Sequence, residues 1–500
     1  MAVSRRSVLG AGALGAFGLA LPNLSLGQPD GEKRRAKNVI FCVSDGMSMG
    51  TFSMVDQLSR LLHGRPSYWA ELVSQEYVLN GFQETRSLNS VVTDSSAAAS
   101  TWGCGRRIWN GALNEYPDGT KLRTLTQLLV EAKVRTGLVT TATITHATPA
   151  GFCVNAPTRD DQPFIATQYL TSGVDVLMGG GSQYFDAAKR KDKRDLFGEF
   201  AKAGYAVAKT REEMMAAEGA RILGIFSNSH MPYWVDHMNS SSLLLSTPTL
   251  ADMSRKAIDM LKGSDRGFVL QIEGAKIDHA AHGNDLAGLI YDQIAFEQAV
   301  KVAMDFAIED GETLVVITSD HGNASPTLNG AGAGYGDSEG GLARVAKMKS
   351  SYDRLFSELG VEPKAAKIRE TIEAHLGIAI KPEEADLLAG KSPFASSIFY
   401  GGRNATLSVI LGNYTKVTWT SGNHTSDHVL CTAFGPGKES FHGLTPNVAS
   451  FGSILAHYDI RHENPRMTFE EAKKIRDAKN AKDDDGGLVA HWHADACDCD

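Results

Sequence analysis

A serine set between an acid and a run of very small residues, Thr93-Asp94-Ser95-Ser96-Ala97-Ala98-Ala99-Ser100, is the segment of this chain best suited to covalent chemistry. A hydroxyl at a helix start faces free backbone N–H groups and the positive end of the helix dipole, which together hold phosphate. Small-residue helix starts also serve ordinary packing, so the segment gains meaning from residues elsewhere. Asp45, Glu273, Asp278, His282, Asp320, His321 and His424 supply carboxylate and imidazole groups at metal-ligand spacing. Asp278 and His282, four apart, share one helical face, while His279 points elsewhere. Asp320 and His321 are adjacent at the end of an apolar run, where a turning backbone lets neighbours share one ion. Each group alone has a plain structural reading: a surface pair for Asp278 and His282, a helix cap for Asp45, a helix-terminus contact for Glu273, a solvated turn for His424. With Ser95 beside them, they point to metal-activated nucleophilic attack on a phosphoryl group.

Positioning these groups falls to apolar runs that end, one after another, in chemistry. Residues 38–43 (NVIFCV) lead into Ser44-Asp45-Gly46, and residues 137–143 lead toward His146-Ala147-Thr148-Pro149. Residues 268–272 lead into Glu273-Gly274, and residues 314–318 into Ser319-Asp320-His321-Gly322. Continuous apolar runs of this length predict strands buried on both faces. Apolar residues every three or four positions predict helices between them, as over 122–134 and 286–307. Alternation of the two predicts an α/β fold: a single large domain whose central, mostly parallel sheet is flanked by helices. Ligands bind outside the carboxyl ends of such strands, where all four polar clusters fall.

The flanks of this core read differently. Ser4-Arg5-Arg6-Ser7-Val8-Leu9 opens an apolar, Gly/Ala-rich run to about Leu21, followed by Gln28-Pro29-Asp30. That layout predicts a twin-arginine-type export signal over residues 1–28, and the run is short for the roughly 20 residues a membrane span needs. Its removal takes two arginines and no acid, moving the formal charge from -8 to -10. The mature chain, with its catalytic domain over 29–475, is thus expected outside the cytoplasm, periplasmic or extracellular, with no transmembrane segment. Its acidic balance argues against a nucleic-acid partner. Six scattered cysteines define no disulfide framework. Residues 325–415, Gly-rich at first and then amphipathic, read as an inserted subdomain over the site entrance; residues 476–500, with His491, His493, Cys497 and Cys499, read as a flexible tail.

Taken in order, DGM (45–47), TDSSAA (93–98), THATPA (145–150), EGAKIDHAAH (273–282), SDHG (319–322) and SGNHT (421–425) closely resemble the alkaline phosphatase family over residues 36–460. The resemblance implies hydrolysis of phosphate monoesters of broad type, for phosphate scavenging, through a phosphoserine on Ser95. It implies two zinc ions, one held by Asp278, His282 and His424 and one by Asp45, Asp320 and His321. A third ion, magnesium, would take Asp45, Thr148 and Glu273, and Arg159 would clamp phosphate. Nitrogen and oxygen donors suit zinc, and an all-oxygen set suits magnesium. His146 stands where some members have aspartate, which removes a carboxylate near the third site and leaves magnesium affinity and pH optimum open; His279 stands where some have lysine. A homodimer is the implied assembly.

Sister hydrolases of the same superfamily are the nearest rivals. A sulfatase would need a Cys/Ser-x-Pro-x-Arg context that Ser95-Ser96-Ala97-Ala98-Ala99 lacks. Phosphodiesterases of the superfamily typically use threonine and lack the arginine and third-metal set. A non-catalytic phosphate-binding scaffold would be expected to have lost a ligand or the nucleophile, and every position is filled. Substrate preference falls to the insert and to residues 230–246.

Overall fold

The computed structural model describes residues 35–330, 335–390 and 402–484. The predicted leader lies outside them, as do His491, His493, Cys497 and Cys499. Fourteen strands are described: β1 (Asn38–Ser44), β2 (Val78–Glu84), β3 (Arg135–Thr143), β4 (Val176–Gly180), β5 (Ala206–Ala208), β6 (Ile222–Ile225), β7 (Phe268–Gly274), β8 (Thr313–Thr318), β9 (Gly322–Asn323), β10 (Thr327–Leu328), β11 (Val417–Thr418), β12 (His424–Thr425), β13 (Val429–Phe434) and β14 (Gly443–Pro446). Ten form one sheet in the order β14-β2-β13-β8-β1-β7-β3-β4-β6-β5. Every neighbouring pair is parallel except those made by β13, which runs antiparallel to both β2 and β8.

Both faces of the sheet are covered, which is why its central strands carry apolar residues on both sides. In β1, Ile40 and Cys42 enter the core on one face, and Val39, Phe41 and Val43 enter the core on the other. The same alternation splits β8 into Val315 and Ile317 against Leu314 and Val316. Removing each such side chain from water stabilises the fold by roughly 1.5–3 kcal/mol, so strand register is strongly specified.

The two predicted helices form with different ends. One is shortened to Leu125–Glu131, because Thr124 and Gln127 make a capping box at its start and Ala132 ends it before left-handed Lys133. The other is lengthened to Leu286–Asp310, capped by Asp285 and stopped at Gly311. Within 325–415 five α-helices are described, Asp337–Ala343, Tyr352–Leu359, Ala365–Leu376, Pro382–Ala389 and Arg403–Thr415, in keeping with the amphipathic character of the segment. Strands β10 and β11 pair at the base of this segment, and its Leu355, Ile368 and Ile372 join the core on one sheet face. A helix over Phe469–Asp484 reaches into the segment read as a tail. Among the described residues no helix is long and apolar enough to cross a membrane.

Candidate active site

Ser95 opens the helix Ser95–Cys104 and is buried at the strand ends. Asp94 is its N-cap: one carboxylate oxygen accepts from the Ala97 N–H at 2.8 Å, and the other accepts from Ser96 Oγ at 2.6 Å and the Gly111 N–H at 2.8 Å. The small-residue run has a steric cause. A Cβ on Gly103 would lie 1.8 Å from the Gly151 carbonyl oxygen, and one on Gly151 would lie 2.5 Å from the Ala99 Cβ. Only tiny side chains let this helix meet the short helix Ala147–Gly151, which carries Thr148 and is preceded by His146.

Strand order brings the acids and imidazoles together. β7, β1 and β8 lie side by side, so Glu273, Asp45 and the Asp320-His321 pair emerge at one edge. β12 pairs with β9, placing His424 opposite Asn323, two residues after His321. The helix Lys276–His282 adds Asp278 and His282. Potential ligand atoms then gather within 4.8 Å of one another in three groups: Asp278, His282 and His424; Asp45, Asp320 and His321; Asp45, His146 and Glu273. Thr148 Oγ1 donates to Asp45 at 3.4 Å. Ser95 Oγ lies 3.2 Å from His321 Nε2. Gly46 is required here, since a Cβ on it would fall 2.4 Å from Asp278 Oδ1.

The donor set fits cations. His282 Nδ1 faces the Gly422 carbonyl at 2.7 Å, and His424 Nδ1 faces the Thr93 carbonyl at 2.8 Å. A carbonyl only accepts, so both rings carry their proton on Nδ1 and turn Nε2 inward. Those two Nε2 atoms lie 3.0 Å apart, with Asp278 Oδ2 3.4 Å from His282 Nε2. Lone pairs at that distance need a cation between them: a proton in the metal-free chain, a divalent ion in the loaded one. Asp45 Oδ1, Asp320 Oδ2 and both oxygens of Glu273 are likewise buried without a hydrogen-bond partner.

Ionisation follows from this crowding. Burial, then Asp320, Asp278 and Glu273, hold Asp45 well above the usual carboxylate range. Burial pushes Glu273 up to about 7. Burial also opposes ionisation of Asp278, yet His282, His424 and His321 outweigh it and hold Asp278 low. His424 is pushed down to about 3 by burial and by His321, whose ring stacks on it at 3.6 Å between centroids.

A family model described as alkaline phosphatase matches residues 36–457. The chain belongs to the alkaline phosphatase family. It is 32% identical to alkaline phosphatase 3 of Bacillus subtilis, an alignment covering 83% of this chain and 88% of that one. Streptomycin-6-phosphate phosphatase of Streptomyces griseus is 30% identical over 59% of this chain and 75% of its own. The crystal structure of Thermus thermophilus alkaline phosphatase superposes with a TM-score of 0.84 at 33% identity, covering 89% of this chain and 96% of that one.

All the alkaline phosphatase positions singled out in the sequence gather at this edge. Arg159 faces Asp94 through Nη1 at 3.5 Å and His146 Nε2 through Nη2 at 3.1 Å. Sequence reasoning named His146 as a variant position without including it in a metal group; the structure brings it within reach of Asp45 and Glu273. Two contributors were missed. Asp94 gathers the Ser95 helix, the Gly111 loop and Arg159, and only its place before Ser95 hinted at a cap. His230 packs 4.4 Å from His279 and 5.6 Å from His146, ring to ring, and nothing local in its sequence signals this.

Proposed function

We propose that this enzyme hydrolyses phosphate monoesters through Ser95, with zinc held by Asp278, His282 and His424 and by Asp45, Asp320 and His321, and magnesium held by Asp45, Thr148 and Glu273. The observation that carries the reading is the pair of inward-facing Nε2 atoms, 3.0 Å apart, in a site whose nucleophile lies 3.2 Å from a third imidazole. Bound there, the metal ions would supply electrostatic stabilisation to the attacking and leaving oxygens and ease their deprotonation.

The chain's own groups supply the rest. Ser95 Oγ, its proton released, forms a new bond to phosphorus as the ester P–O bond breaks, and the departing alkoxide takes a proton to become the alcohol. Water then attacks the phosphoserine; the Ser95–phosphorus bond breaks, Ser95 Oγ regains a proton and inorganic phosphate leaves. Asp94 fixes the helix start so that Ser95 Oγ stays directed at the substrate. Arg159, turned inward by Asp94 and His146, offers a planar fork to two non-bridging oxygens. A second ester substituent would compete for that fork, which favours monoesters over diesters.

The leader pattern supports export by a twin-arginine route, and the family resemblance supports a homodimer; amino-terminal sequencing of secreted protein and sedimentation test these. The decisive experiment for the activity is phosphate release from an aryl phosphate at alkaline pH, before chelation, after it, and after restoring zinc plus magnesium. Activity lost and then regained only with zinc supports the reading. Activity indifferent to zinc, or restored by calcium alone, refutes the metal assignment.

A further inference from the structure

Beyond the far end of the nucleophile helix, a separate pocket of about 530 Å³ opens between residues 86–107 and 463–470. Arg86, Arg106, Arg107 and Arg466 line it. Arg106 is committed: it pairs with Glu463 at 2.8 Å and donates to the Gly105 and Pro465 carbonyls. Glu84 serves two guanidinium groups at once, accepting from Arg107 Nη2 at 2.8 Å while pairing with Arg86. Arg466 has no hydrogen bond or ion pair among the described residues, and Arg107 Nε is buried without a partner. Burial lowers the Arg107 pKa, and Arg86 and Arg466 lower it further against the pull of Glu84. The remaining acid on the lining, Glu470, lies in the first turn of the helix Phe469–Asp484, where it complements the helix dipole. Four arginines therefore meet three acids, and Arg466, unpaired among the described residues, lines the cavity.

The pocket walls are braced. Trp109 stacks on Phe469, with ring centroids 6.2 Å apart and planes 15° apart, and Arg476 lies 5.0 Å over the Trp109 ring. The Tyr116 hydroxyl donates to the Pro465 carbonyl at 3.1 Å and accepts from the Met467 N–H at 3.3 Å. Trp109 is followed by Asn110 and Gly111, which contact Asp94, so the pocket adjoins the catalytic edge without sharing its residues.

We propose that this pocket is a second oxyanion site, in which Arg86, Arg107 and Arg466 hold a phosphate group, either free inorganic phosphate or a phosphoryl group of a larger phosphorylated molecule. A braced wall presenting guanidinium forks short of carboxylates matches the tetrahedral oxygens of phosphate, and the exposure of Arg86 and Arg466 makes binding weaken as salt rises.

Equilibrium dialysis with labelled inorganic phosphate, on the metal-loaded full chain at low ionic strength, tests it. The wild type is expected to bind two phosphates per chain, and the Arg86→Ala/Arg466→Ala double variant one. The single variant Arg466→Ala should weaken the second site about tenfold or more, the loss of one charge-assisted contact. Both arginines are exposed, and turnover of an aryl phosphate at an unchanged rate shows that the variants fold. One phosphate per chain in the wild type, or two retained in the double variant, overturns the proposal. A methylene-bridged bisphosphonate separates the sources. Tighter binding than phosphate, lost in the double variant, assigns the site to larger phosphorylated molecules; equal binding, lost in the same variant, assigns it to free phosphate.

Discussion

Replacing Glu273 with Gln removes one carboxylate from the deepest part of the site while keeping its shape. In the metal-stripped protein this side chain is buried with both oxygens unpartnered, and burial moves it from 4.5 up to about 7. The folded chain therefore keeps a proton there that the unfolded chain gives up. Its contribution to stability is full below pH 4.5 and is lost as pH rises through about 7. Across that window the loss is about 3 kcal/mol, at about 1.4 kcal/mol per pH unit. Asp45, raised mainly by burial, shifts stability with the same sign. His146, His230, His279 and His424, all lowered mainly by burial, run oppositely below pH 6.5, and the wild type alone would mix the two trends. Subtracting wild type from variant cancels the histidines. In denaturant unfolding of stripped protein, Glu273→Gln should gain on wild type by about 3 kcal/mol between pH 4.5 and pH 7. With zinc and magnesium restored the order should reverse, because the proposed third site takes the ionised carboxylate as a ligand. A difference independent of pH in the stripped protein would refute the burial argument. Failure to reverse on loading would remove Glu273 from the metal site.

Ser95→Ala should cut turnover by at least about a thousandfold while metal content, read by atomic emission, stays at the wild-type level. Arg159→Ala should weaken inhibition by inorganic phosphate about ten- to a hundredfold, the loss of a two-pronged charged contact, and slow hydrolysis without abolishing it. Unchanged phosphate inhibition would end the clamp assignment. Asp94→Ala removes a helix cap and strands the Gly111 N–H, so thermal unfolding should report a loss of about 2–4 kcal/mol. His424→Ala should lower zinc content by one ion per chain and leave the fold's circular dichroism unchanged; full zinc retention would place that ion elsewhere.

Much of this protein is decided by short stretches of chain. Four largely apolar runs become β1, β3, β7 and β8 because burial on both faces favours apolar side chains at most positions, a demand each segment meets alone; the few buried polar residues, such as Gln271 and Glu273 on β7, are held by partners or by the site. Asp278 and His282 share a face because helical spacing puts them there. Helix ends were less legible, since Thr124 and Lys133 trim the first predicted helix through caps that periodicity does not register.

Convergence is another matter. That Asp45, Glu273 and Asp320 meet depends on β7, β1 and β8 being neighbours in the sheet, an order set by how helices cover both faces rather than by any of the three strands. His424 reaches the site because antiparallel β13 and the β9–β12 pair return the chain to the same edge. Asp94 joins Arg159 across 65 residues, and His146 enters the group of Asp45 and Glu273 because Gly103 and Gly151 let two helices touch. Which chemical groups were available, and which segments would be buried, could be read from the chain alone, because side-chain chemistry and strand period are local properties. Which groups stand within a few ångströms of one another is visible in the folded chain and nowhere before it, because that distance is set by packing among segments far apart in sequence.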